Sequence, residues 1–176
     1  DGNTVLGFSS DPTAPFRNSE NLDLEPLWPY NLIGDTSALF DLARLTYANR
    51  RFRNSNSWTY DPVHAARLGM GTEVAARLRA STTSFQVYPS GLAAWNPSRL
   101  EEPYDEHAGV TALAINESLV QDYDGLLRIA PALPPGWDGD LGAEVVEGQP
   151  RLAGLDVHTA ALLARAFSMF FHLTNV

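Results

Sequence analysis

The chain contains no cysteine and no lysine. The first absence excludes disulfides, thiolate nucleophiles and Cys-ligated zinc, and it leaves the redox compartment open. The second excludes Schiff-base chemistry and the Lys-bearing phosphate loop of nucleotide-binding folds. The twelve cationic residues are all Arg, set against 21 acids for a formal net charge of −9. No basic stripe is available to neutralise a phosphate backbone, so nucleic acid is not an expected partner. No apolar run reaches the roughly 18 residues of a membrane span, and Asp1 does not open a charged-then-apolar leader, so no membrane association is expected. A Gly-x-Ser-x-Gly elbow is missing as well. His64 and His107 have no His-x-x-x-His or comparable spacing, so neither a metal nor another cofactor is expected. Gly69-Met70-Gly71 lies between helical stretches with no strand before it, which excludes a dinucleotide turn.

What is present fits one ordinary domain: 176 residues, 44% hydrophobic and 19% charged. Residues 1–35 read as ordered loop, rich in Pro, Asn, Asp and Gly and carrying Phe8, Phe16, Trp28 and Tyr30. Asp35, Thr36 or Ser37 then offers a cap for a helix with apolar residues at helical spacing from Leu39 to Tyr47. Asp61-Pro62 predicts a second start, with an acceptor at N-cap and Pro at the first helical position. That helix breaks at Gly69-Met70-Gly71 and resumes through Val74 and Leu78, the rhythm of an antiparallel helical hairpin. Residues 85–107 form a long irregular loop of the kind that shapes pockets. A third helix begins at about Val110 and runs through Glu117 to Val120. Past Gly125 the pattern turns β-like at 126–133 and 143–146, while 155–173 reads equally as strand or helix. The expected class is therefore mainly α, with a helical part over 1–125 and a short β-rich segment over 126–176.

Asp105 and Glu106 fall at or just before the N-terminus of the third helix. There the unpaired N–H groups and the helix dipole favour a charged carboxylate, which suits a base and not an acid. A plain N-cap is the structural alternative for either residue. His107 adjoins them and could bind a hydroxyl, although a lone His is more often a hydrogen-bonded core or surface residue. Trp28, Trp58 and Trp95 could stack on a sugar ring or simply fill the core, and Trp95, in the long loop, is the best platform. Glu25 sits in the aromatic-rich loop, where it either lines the same pocket or is merely exposed.

Three blocks recur in a familiar order. They are Asn21-Leu22-Asp23-Leu24-Glu25-Pro26-Leu27-Trp28-Pro29-Tyr30; then Trp58-Thr59-Tyr60-Asp61 leading to Ala65-Ala66-Arg67-Leu68-Gly69; then Asp105-Glu106-His107-Ala108-Gly109, Asp124-Gly125 and Ile129-Ala130-Pro131-Ala132-Leu133-Pro134 before Trp137. Over about residues 18–140 this succession resembles glycoside hydrolase family 95 and its relatives. The resemblance implies part of an (α/α)6 toroid, the barrel of six helical hairpins, followed by a β-domain. It also implies an inverting exo-glycosidase acting on terminal sugars such as α-L-fucosides or α-L-galactosides, in a secreted or periplasmic setting. In such enzymes an acid protonates the leaving oxygen while a base activates water, the two carboxyls being roughly 6.5–9.5 Å apart. The matching catalytic position is Glu106, where the family has Asp, with Asp105 as the neighbouring candidate. Asn21, Asp23, Glu25, Trp58, Trp95 and His107 are then the expected substrate contacts. The family has several histidines where this chain has Asn21, Asp23 and Pro26, so the sugar's identity does not carry over. The family's general acid lies further upstream, so the remainder of a catalytic domain is expected before Asp1. A lyase or phosphorylase on the same toroid, and a non-catalytic carbohydrate-binding domain, are the alternatives.

Overall fold

The computed structural model describes residues 4–11, 13–53, 56–137, 143–146 and 149–152. Most of its regular structure is helical, accompanied by small antiparallel sheets. A single 3-10 turn, Leu22–Leu24, interrupts the N-terminal loop. The helices are α1 (Phe40–Ala48), α2 (Asp61–Arg67), α3 (Gly71–Phe85) and α4 (Asp105–Leu119). Three hairpins complete it: β1 (Ala94–Asn96) with β2 (Glu101–Pro103), β3 (Val120–Tyr123) with β4 (Leu126–Ile129), and β5 (Ala143–Val146) with β6 (Gln149–Leu152). Among the described residues, no helix is long and apolar enough to cross a membrane.

The central element is α2, seven residues buried along its whole length and packed against both α3 and α4. Such a helix has no free face, and burying its Val63, Ala65 and Ala66 stabilises the fold by about 25 cal/mol for each Å² of apolar area covered. Leu24, Leu27, Ala43, Tyr47, Val74 and Val110 enclose it in one core cluster. Between α2 and α3 the chain reverses at Gly69, whose φ of +69° suits glycine. Gly71 lies so close to the Leu133 carbonyl that an added Cβ would collide with it. This contact docks the proline-rich segment after β4 on the helical hairpin.

Several expectations change. Asp61 is not an N-cap: Tyr60 occupies that position, and the Asp61 side chain turns inward to accept hydrogen bonds from Arg50 (2.7 Å) and Asn21 (3.0 Å). At the start of α1 Leu39 stands at N-cap; of the three cap candidates Asp35 instead pairs with Arg128 at 2.8 Å, while the Ser37 hydroxyl accepts from the Leu39 N–H at 3.2 Å. The long loop contains the β1–β2 hairpin. The β-pattern begins before Gly125, since Val120–Tyr123 is already a strand and Asp124 (φ 55°) and Gly125 (φ 68°) make the two-residue turn to β4. Residues 155–173 lie outside the described residues.

Candidate active site

Three elements converge on Glu106: the stretch entering α2, the β1–β2 hairpin and the first turn of α4. The Tyr104 N–H donates to the Ala93 carbonyl at 2.8 Å, so the hairpin is held against the start of α4. Glu106, in the first turn and exposed, makes no capping bond. Instead the Tyr60 hydroxyl donates to its Oε1 at 3.2 Å and the Tyr104 hydroxyl donates to its Oε2. Both phenols are pushed up to about 12, first by burial and then by the Glu106 charge and hydrogen bond. At neutral pH they are donors, not bases.

Tryptophan rings adjoin both phenols. Trp95, 48% exposed, stacks on half-buried Trp58 with centroids 6.0 Å apart, and Trp58 meets Tyr104 edge-on at 6.2 Å. On the other side Tyr60 packs against Trp28 at 4.7 Å. Here a cleft of about 150 Å³ opens, lined by Glu20, Asn21, Glu25, Trp28, Tyr60 and His64 among others. Half-buried Glu20 accepts a hydrogen bond from Asn18 at 3.4 Å. Its carboxyl is raised above the usual range mainly by burial, with the like charges of Glu106 and Glu25 adding to the effect. Among the described residues that line the cleft, none is Arg.

Of the expected site residues, Glu106, Trp58 and Trp95 come together, and Glu25 and Asn21 line the adjoining cleft. Asp105 is exposed one position earlier on α4. Asn21 is buried, and its amide is committed to the chain: Nδ2 donates to the Phe52 carbonyl and Asp61, while Oδ1 accepts from the Phe52 N–H at 2.9 Å. Asp23 is absent from the cleft lining, and burial pushes its carboxyl up. His107 does not face the mouth. It is 2% exposed, bonded through Nε2 to the Ser81 hydroxyl at 2.9 Å and packed near Phe85 between α3 and α4. Burial lowers its basicity. Tyr60, Tyr104 and Glu20 had no expected role from the sequence. The only signal for the tyrosines was their place beside Asp61 and Glu106.

Among the described residues, no three His, Asp or Glu side chains converge as metal ligands would. The chain matches no protein-family model, no curated protein and no solved structure.

Proposed function

We propose that this chain belongs to an inverting exo-glycosidase built on the six-hairpin α/α toroid, with Glu106 activating the water that attacks a terminal sugar. The single observation that carries this reading is the setting of Glu106. An exposed carboxylate is fixed by two phenol donors, and one of these, Tyr104, meets edge-on the Trp58 of a stacked Trp58–Trp95 pair. The apolar C–H face of a pyranose suits such an aromatic surface. The carboxylate keeps lone pairs beyond those the phenols occupy, and these can orient a water and accept its proton. Phenols near 12 are poor proton acceptors at neutral pH, which disfavours a tyrosine-based lyase. A cleft lined by acids and lacking Arg is unsuited to the phosphate of a phosphorylase.

The test is Glu106→Gln in the intact protein, assayed on aryl α-L-fucosides and α-L-galactosides beside Asp105→Asn. Loss of base assistance is expected to lower kcat by about 10²–10⁴-fold, or roughly 3–5 kcal/mol at 1.36 kcal/mol per decade, with little change in KM. Near-normal turnover in the folded Glu106 variant with an inactive Asp105→Asn would move the role one residue back. Near-normal turnover in both would remove this loop from the chemistry.

A further inference from the structure

The resemblance to family 95 leads one to look for the proton donor elsewhere, but a candidate lies beside Glu106 itself. The geometry points to Glu20 as the general acid that protonates the leaving glycosidic oxygen, placing both carboxyl groups of the catalytic pair on this chain. This inference rests on Glu106 being the base.

Two observations support it. First, Tyr60 joins the two acids: its ring lines the cleft that Glu20 also lines, and its hydroxyl is bonded to Glu106. Tyr60 therefore ties the cleft that Glu20 lines to the Glu106 carboxylate. Second, the two environments differ in the way an acid and a base require. Glu106 is exposed and accepts from two phenols. Glu20 is half-buried, has a single long bond from Asn18, and holds its proton more firmly because of burial and the two neighbouring acids.

The step balances. The C1–O bond breaks with its electron pair passing to the leaving oxygen, which takes the proton from the Glu20 carboxyl and departs as an alcohol. Water forms the new bond to C1 as Glu106 takes its proton, giving the free sugar with inverted configuration, and solvent returns both carboxyls to their starting states.

Leaving-group dependence tests the assignment in the intact protein. A methyl glycoside needs its leaving oxygen protonated, whereas a 2,4-dinitrophenyl glycoside does not. Glu20→Gln is expected to lower kcat on the methyl substrate by on the order of 10²–10⁴-fold and on the dinitrophenyl substrate by less than about tenfold. Glu106→Gln is expected to lower both. Glu20→Asp, which keeps a proton at shorter reach, should lose less than Glu20→Gln on the methyl substrate. Equal losses on the two substrates in Glu20→Gln, no loss on either, or equal deficits in the Gln and Asp variants would each overturn the role of Glu20 while leaving that of Glu106 intact. Wild-type protein inert toward both substrates would instead overturn the Glu106 reading, and this inference with it.

Discussion

Asp61 and Glu106 both stand in the first turn of a helix, yet the two turns have opposite fates. Asp61 is 2% exposed and saturated by Arg50 and Asn21. Around it Arg50 also donates to the Tyr47 carbonyl at 2.8 Å, with its guanidinium 3.9 Å from the centre of the Tyr47 ring. Glu106 is exposed and held only by hydroxyls whose rings adjoin tryptophans. Position in a helix does not distinguish a structural acid from a chemical one; the partners do. A carboxylate paired with a buried guanidinium is committed to the fold, while one held by neutral donors still has lone pairs for a substrate or water.

The sharpest way to break that contrast is to neutralise both acids and compare melting. Asp61→Ala removes the closer partner of buried Arg50 and leaves it only Glu73 at 3.5 Å, which is expected to cost up to about 3–5 kcal/mol of stability. Glu106→Gln should cost less than about 1 kcal/mol, as usual for a surface substitution. Comparable losses in thermal unfolding would end the distinction. A somewhat smaller effect concerns His64. Burial, the largest cause, holds its folded value at about 4, below the ordinary 6.5. Because the unfolded chain binds the proton first, stability is complete above about 6.5 and falls as pH drops towards 4, by up to roughly 3 kcal/mol. A melting temperature flat from pH 7 to pH 4.5, with the carboxylate contribution subtracted using His64→Gln, would rule this out. The smallest effect belongs to the aromatic platform. Trp95→Ala should raise KM by about fivefold, corresponding to about 1 kcal/mol of stacking, and leave kcat and Tm nearly unchanged. An unchanged KM would remove Trp95 from the binding surface.

The helices were legible because the signals were local. Pro62, the glycines at 69 and 71 and the apolar spacing of α1 and α3 lie within a few residues of what they determine. The inward turn of His107 was legible in principle too, since His107, Val110, Ala114 and Ser118 share one buried stripe at helical spacing. The same phase leaves Glu106, one residue earlier, exposed. The β1 and β2 strands, three residues each, are too short to show alternation. Strand β3 was hidden because Val120 and Gln121 continue the pattern of α4, although Asp124-Gly125 is a strong hairpin signal. The contacts that define the site were out of reach of any local reading. Tyr60 and Glu106 are 46 residues apart, and Asn21 and Asp61 are 40 apart.

The clasp between Asp35 and Arg128 spans 93 residues. Arg128 lies over the Tyr123 ring at 3.7 Å while it pairs with a partly exposed Asp35. Closing so long a loop costs chain entropy that α2 and α3, adjacent in sequence, pay less of when they pack on one another. The order of assembly follows. The α2–α3 hairpin comes together first, and the clasp then fixes the β3–β4 hairpin to the N-terminal loop. Opening runs in reverse, so the amides of β4 should exchange with solvent well before those of α2, and added salt, which weakens a partly exposed ion pair, should hasten β4 alone.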